Sequence, residues 1–419
     1  MDPALDAASG VNPDRLWQRL MTMATIGAIP GDGVDRAALS AGDIEARAVL
    51  IAWARERGFA VEVDEAANLF VRRPGTEARR DPILAGSHMD SQPKGGRFDG
   101  IFGVLAAFEA LEALEDRGVA TRHPVEAVAW TNEEGGRFSP GCMGSMSFTG
   151  REPLGRWLPI ADAEGVTFET ALTQTLAATP DLPRRPFRTP AHAYIEPHIE
   201  QGPTLEALDV PIGAVTGIQG SRWFMIEVHG EMAHAGTAPL VGRKDAMRAA
   251  VRAIAALQEA CHDPEDVTRF TVGKIEALPG SYNTVPNLVR FSVDLRHPDA
   301  ATLDRLGDRI ARVCERAATP CSVTVEETFS QAPVVFPRPI VSAVENAARA
   351  LGLRAHAMPS GAFHDAAFLA GHCPTGMIFI PCRNGISHNP AEYATPEHCA
   401  AGAAVLTAAL VAMDATAFA

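Results

Sequence analysis

Residues 82–90 read Pro82-Ile83-Leu84-Ala85-Gly86-Ser87-His88-Met89-Asp90, and residues 125–134 read Val125-Glu126-Ala127-Val128-Ala129-Trp130-Thr131-Asn132-Glu133-Glu134. Each is a short, largely apolar run that breaks into side chains able to bind a cation. Short apolar runs bounded by turn residues are read as buried strands. One strand is therefore expected at Pro82–Gly86, ending at Ser87-His88, and another at Val125–Thr131, ending at Asn132-Glu133-Glu134. Between them Ile101, Val104, Leu105, Phe108, Leu111 and Leu114 recur at three and four residues. That spacing predicts an amphipathic helix from Gly100 to Arg117. Strand, polar loop, helix, strand, polar loop is the order of an α/β domain with a largely parallel sheet. Sites in such sheets form at the carboxyl ends of strands, where His88, Glu133 and Glu134 stand.

Outward from this stretch, Ala41–Gly58 reads as a helix, and Val61–Val63 with Asn68–Arg72 as a strand pair. The pattern changes near Gly217-Ile218-Gln219-Gly220. Strands are expected at Trp223–Gly230, Thr268–Glu276, Leu288–Leu295 and Cys321–Glu327, and helices at Arg243–Ala260 and Ala301–Ala317. Two β-α-β halves of this kind predict a small α/β sandwich over 219–332. It would be inserted into a larger domain made of 1–218 and 333–419, with Pro333 to Pro339 as the return linker. The larger domain then resumes with a helix at Ile340–Leu351 and a buried strand at Met377–Pro381 leading to His388. A last helix starts after Thr395, an N-cap residue with Pro396 at the first helical position.

The chain has 419 residues, more than one core of ordinary size accommodates, which agrees with two domains. Apolar residues make up 47% and charged residues 21%, a globular balance. A formal charge of -14 argues against nucleic acid, which needs a basic face. The polar stretch from Met1 to Gly10 lacks a secretory pattern, and no run of about 18 apolar residues predicts a membrane span. The 7 cysteines are scattered and form no CxxC pair, which suggests reduced thiols in the cytoplasm.

His88, Asp99, Glu134, His198 and His388 occupy separate Gly- or Pro-bearing stretches. Three imidazoles and two carboxylates suit divalent cations with an open position for water. A pair of cations needs a bridging carboxylate, and Asp99, in the Gly-flanked loop after Gly95-Gly96, is the candidate. Asp90 is expected behind His88, accepting its other ring N–H. Neighbouring side chains at a strand end diverge, so one of Glu133 and Glu134 binds metal and the other faces the water as base. Singly, each of these has an ordinary reading: a capping histidine, a turn residue, a solvated acid pair. Their joint placement at strand ends points to a metal hydrolase. His234 stands in a loop of small residues where an imidazole can approach a ligand. His364, in the turn that includes Gly361 and Ala362, is expected to support the site. Arg296 has two open readings, a surface charge or a bidentate clamp on a carboxylate. His229 reads as structural, and His123, His192, His262, His297 and His398 as surface or capping residues.

The chain resembles the amidase/hydantoinase–carbamoylase branch of the dinuclear zinc-peptidase superfamily, from about Arg15 to Leu410. The motifs are Gly-Ser-His-Met-Asp-Ser at 86–91, Gly-Gly-Arg-Phe-Asp-Gly at 95–100, Asn-Glu-Glu-Gly at 132–135, His-Ile-Glu-Gln-Gly-Pro at 198–203 and Ala-His-Ala-Gly at 233–236. The resemblance implies two divalent ions per subunit, of zinc, manganese, cobalt or nickel. His88 and His198 would hold one, Glu134 and His388 the other, with Asp99 between them and Glu133 as general base. It further implies that His234 stabilises an oxyanion in the partner subunit's site. Asn283 and Arg296 would hold a substrate carboxylate, and Gln201, Gly361 and Ala362 would line the pocket. The inserted domain would form a homodimer and close as a lid. The implied reaction is hydrolysis of an N-carbamoyl-L-amino acid to amino acid, ammonia and CO₂. Allantoate and N-acyl amino acids are the next substrates, and a binding protein that has lost catalysis is the rival of another class. Phe363 departs from the Gly that many relatives carry.

Overall fold

The computed structural model describes residues 2–418. Met1 and Ala419, the outermost positions of the larger domain expected from sequence, lie outside the described residues. The chain forms two compact units, Met1–Gly217 with Val335–Ala419 and Ile218–Val334.

The larger unit is built on a mixed sheet. At its centre Val125–Trp130, Ile83–His88, Ala193–Ile199 and Thr375–Ile380 lie side by side and parallel. Every residue of these four strands is buried, as strands covered on both faces require. The flanks are antiparallel except at one edge, where Arg184–Arg185 pairs parallel with Ala60–Asp64. Leu69–Arg73 pairs with Val125–Trp130, Ala60–Asp64 folds back on Leu69–Arg73, and Ile212–Ile218 pairs with Thr375–Ile380. The expected parallel sheet is thus largely confined to the centre. The short connection between Ala60–Asp64 and Leu69–Arg73 can join only antiparallel neighbours.

The helix Ile101–Asp116 differs from expectation. It is not amphipathic, because Ile101 through Leu114 are all buried, Glu109 and Glu112 among them. The helix Pro13–Thr25, which is not among the expected elements, covers its outer side. Arg15 Nε donates to Glu109 Oε2 at 2.7 Å, and Arg19 Nη2 to Glu112 Oε1 at 3.0 Å. Buried acids paired in this way replace the solvated face that the sequence pattern suggests. The last helix, Pro396–Asp414, is long and apolar enough to cross a membrane by length and composition. It packs instead as a core helix, with Cys399, Ala403, Leu406, Leu410 and Met413 buried against the sheet and its neighbouring helices. Thr395 caps it, accepting from the His398 amide at 3.1 Å.

The smaller unit is an antiparallel sheet with helices on one face. Gly220–His229 lies between Leu288–His297 and Ser322–Gln331. Phe224, Ile226 and Val228 alternate inward and meet Ala249, Ala253 and Leu257 of the helix Ala246–Ala260. The strand expected at Thr268–Glu276 is two pieces, Arg269–Thr271 and Ile275–Leu278, broken around Gly273. The helix expected at Ala301–Ala317 is likewise two, Ala300–Gly307 and Ile310–Ala318.

Candidate metal centre

The four central strands each deliver a polar side chain near their carboxyl ends. His88 is the last residue of its strand, and His198 the next to last of Ala193–Ile199. Glu133 and Glu134 follow Trp130 in a turn that Asn132 enters with φ 55°. His388 lies in a loop beyond Thr375–Ile380. Asp99 precedes Gly100, which enters the buried helix at φ 64°, and a Cβ on Gly100 would lie 2.3 Å from the His88 ring. Glycine is therefore required there on two counts. Ligand atoms of His88, Asp99 and His198 lie within 4.8 Å of one another, and so do those of Asp99, Glu134 and His388. Asp99 belongs to both groups. Its Oδ1 is 3.1 Å from His198 Nε2 and 3.7 Å from His88 Nε2, and its Oδ2 is 3.3 Å from His388 Nε2. Glu134 Oε2 is also 3.3 Å from His388 Nε2.

Do these atoms fit a cation? The Nδ1 atoms of His88 and His198 sit 2.9 Å from the Asp90 and Ile199 carbonyl oxygens. A carbonyl only accepts, so each Nδ1 carries a proton, and each ring, when neutral, turns an Nε2 lone pair inward. His198 Nε2 is buried with no hydrogen-bond partner although Asp99 Oδ1 faces it. Two lone pairs facing each other over that gap repel unless a positive charge lies between them. Burial lowers the His88 imidazole to about 4 against the pull of Asp99. Burial also opposes a charged His198, but Asp99 outweighs it and lifts that ring to about 9. The gap thus draws in a proton when nothing else is present, and divalent cations suit the same imidazole and carboxylate set. The donor set fits.

Glu133 lies partly buried beside this group, its Oε2 3.4 Å from His88 Nε2. Burial, with Asp365, Glu134, Asp90 and Asp99 around it, pushes its carboxyl well above the ordinary range. Asp90 acts differently from expectation. Its backbone carbonyl, not its carboxylate, meets His88 Nδ1. The carboxylate accepts from the Glu133 and Glu134 amides, both at 3.3 Å. The chain turns back just after the strand, so the nearer acceptor for the ring is the main chain.

In the smaller unit, His234 pairs with Thr284 across a two-residue ladder, and the Ala235 amide donates to the Asn283 carbonyl at 2.9 Å. The structure therefore brings His234 and Asn283 together. The Gly236 and Thr237 amides donate to His234 Nδ1 at 3.1 and 3.2 Å. That leaves Nε2–H of an exposed ring as a free-facing donor. Arg296 is not grouped with them. It lies near the far end of the strand Leu288–His297, about 26 Å from Leu288 at an extended rise, and pairs with Asp294 at 2.8 Å.

Residues 84–412 match the family described as peptidase family M20/M25/M40. The chain belongs to this family, in its hydantoinase/carbamoylase amidase branch. A solved amidase of the hydantoinase/carbamoylase family from Burkholderia multivorans is 42% identical, with a TM-score of 0.90 over 97% of this chain and 99% of that one. The N-carbamoyl-L-amino acid amidohydrolase of Geobacillus stearothermophilus is 40% identical over 94% of this chain and 97% of its own. The allantoate amidohydrolase of Escherichia coli (strain K12) is 34% identical over 90% and 92%.

Other side chains around this M20-family centre were expected in part. Gln201 Nε2 donates to Asp99 Oδ2 at 2.8 Å, while its Oε1 is buried without a hydrogen-bond partner. His364 packs edge-on against His198 with ring centroids 4.5 Å apart, and its Nε2 meets Ser360 Oγ at 3.0 Å. Ser360 also holds the Gly361-Ala362 turn, accepting from the Ala362 amide at 3.1 Å. Phe363 packs on Phe368, centroids 5.6 Å apart. Gln92, Glu196, Ser387 and Glu392 were missed. Gln92 binds both carboxylate oxygens of Glu134, through its amide at 3.0 Å and its side chain at 2.9 Å. Glu196 shares a strand face with His198, two residues on, and that alternation was the available signal.

Proposed function

We propose that this protein is a metal-dependent amidohydrolase that cleaves a linear amide or ureido C–N bond, with an N-carbamoyl-L-amino acid as substrate. The observation that carries the reading is the convergence of His88, Asp99, Glu134, His198 and His388, with Asp99 common to two ligand groups. The names of the Geobacillus and Rhizobium meliloti relatives, 40% and 39% identical, support this substrate class. Two divalent ions of zinc, manganese, cobalt or nickel are proposed per subunit. His88 and His198 would hold one and Glu134 and His388 the other, with Asp99 common to both ligand groups. Bound there, such ions supply Lewis-acid polarisation of the carbonyl and an acidified water.

The rest is done by this chain's side chains. Glu133 takes the proton of the attacking water and returns it to the departing nitrogen. Its position among other acids suits it to hold that proton in transit. His234 donates Nε2–H to the developing oxyanion. Arg296 and Asn283 bind the substrate carboxylate. Gln201 Oε1, left without a protein partner, accepts from a substrate N–H, and Gly361 and Ala362 line the same pocket. His234 and Asn283 sit together while Arg296 stands at the far end of the strand Leu288–His297. That separation supports a site assembled from two copies, dimerised through residues 219–332, in which the partner subunit lends the His234 and Asn283 pair. The inserted unit then also serves as a lid. One water converts an N-carbamoyl amino acid into amino acid, ammonia and CO₂.

Allantoate is the second reading, favoured by the Escherichia coli relative. The test is a screen of the metal-loaded protein against N-carbamoyl amino acids, allantoate and N-acyl amino acids, following ammonia and amine release. Turnover of N-carbamoyl-L-amino acids at the highest kcat/KM is expected; turnover of none of the three classes contradicts the proposal. All 7 cysteines are free and buried, which supports a reducing, cytoplasmic location. The charge of -14 supports no role with nucleic acid.

A further inference from the structure

We infer that Glu392 is a positioning residue for the metal centre: its buried carboxylate fixes the backbone beneath Asp99 and, through Ser387, ties that loop to the loop carrying His388. The inference rests on the metal reading above. Glu392 is only 1% exposed, and no lysine or arginine pairs with it among the described residues. A carboxylate buried without a cationic partner is costly unless its oxygens are satisfied. Here Oε1 accepts from two consecutive amides, Phe98 at 2.9 Å and Asp99 at 3.0 Å. Oε2 accepts from Ser387 Oγ at 3.0 Å, and the same hydroxyl lies 2.8 Å from Asp99 Oδ2. Residues 89–100 contain no helix or strand, so nothing regular holds the Asp99 peptide. Glu392 supplies the missing acceptor. The loop is shaped to receive it, since a Cβ on Gly96 would lie 2.0 Å from the Glu392 carboxyl.

His388 needs such a tether more than the other ligands do. Its side chain is 48% exposed, against 1% for His88 and His198. Its backbone is left-handed, at φ 54°. The other two rings are oriented by carbonyls at Nδ1, whereas no hydrogen bond reaches His388 Nδ1 among the described residues. What holds it is the turn that follows: the Glu392 amide donates to the Asn389 carbonyl at 3.0 Å, and the Ala391 amide to Asn389 Oδ1 at 2.9 Å. Glu392 closes that turn and grips the Asp99 loop with its side chain. Supporting contacts behind metal ligands typically change ion affinity by about 10–100-fold when removed.

The test compares wild type, Glu392→Ala, Glu392→Gln and Ser387→Ala. Each is stripped of ions, checked for folding by circular dichroism, and titrated with Zn²⁺ in competition with a fluorescent chelator. The Ala variant at 392 is expected to bind at least one Zn²⁺ about 10–100-fold more weakly. Ser387→Ala should weaken in the same direction by less. Glu392→Gln should recover most of the loss, because its amide oxygen still accepts from Phe98 and Asp99. After reloading, kcat falls and KM stays. Wild-type Zn²⁺ affinity in a folded Glu392→Ala protein overturns the inference; if that variant does not fold, wild-type affinity in Ser387→Ala does so. A Gln variant as weak as Ala also contradicts it. Wild-type protein that takes up no Zn²⁺ removes the metal reading itself, and this inference with it.

Discussion

Glu133 and Glu134 are adjacent in sequence and differ in what they touch. Glu134 is bound by Gln92 at both oxygens and faces His388, while Glu133 lies against His88 and the Cys142 thiol. That contrast supports the proposal that Glu134 is a ligand and Glu133 the base. Glu133→Gln should retain its ions by elemental analysis and lose turnover by about 10²–10⁴-fold, the usual worth of a general base; near-wild-type kcat would remove Glu133 from the mechanism. Arg296 is read as a carboxylate clamp. Arg296→Ala should raise KM for carboxylated substrates by about tenfold or more, since charge-assisted hydrogen bonds are worth about 1.5–3 kcal/mol, and an unchanged KM would return it to the surface. At this scale the ligand candidates were legible because each is a cation-binding side chain in a Gly- or Pro-bearing stretch, and most follow an apolar run. Glu392 was not: it contacts the Asp99 loop across 293 positions, and no local pattern marks a carboxylate whose partner is so distant.

The elements explain why the ligands meet at all. Parallel neighbours bring their carboxyl ends to one edge of the sheet, so His88, Glu134, His198 and His388 converge although they are spread along the chain. Apolar runs bounded by turn residues revealed the strands Ile83–His88, Val125–Trp130 and Thr375–Ile380. The strand pair at Val61–Val63 and Asn68–Arg72 was expected, but the antiparallel pairing of Leu69–Arg73 and Ile212–Ile218 with the central strands was not, because strand direction depends on connection length rather than on side-chain pattern. The helix Ile101–Asp116 misled for a related reason: its glutamates look solvated until Arg15 and Arg19 cover them. Thr395, by contrast, reads correctly as a cap. Thr395→Ala should cost about 1 kcal/mol of stability, seen as a lower urea midpoint with an unchanged slope. Because Thr395 touches no proposed ligand, kcat should not move; a large fall in kcat would show that the last helix is coupled to the centre.

At the scale of the whole molecule, one chain holds the proposed metal ligands and Glu133 in its larger unit and His234 with Asn283 in its smaller one. If two copies share their sites, each half can be broken in a different chain. Glu133→Gln and His234→Ala proteins, each nearly inactive alone, should regain about one quarter of wild-type activity when unfolded and refolded together in equal amounts, because half of the resulting dimers carry one intact site. No recovery would place His234 in its own chain's site or outside catalysis. Ion removal should likewise abolish turnover and lower the thermal midpoint, with both restored by a divalent cation, since a ligand bound only to the folded state stabilises it. Beneath all of this lies the proposed pair of cations. The direct measurement is anomalous diffraction from crystals of the metal-loaded protein. Two peaks about 3.5–4 Å apart, one against His88, Asp99 and His198 and the other against Asp99, Glu134 and His388, are the predicted result; a single peak, or ions bound elsewhere with these side chains turned apart, would contradict it.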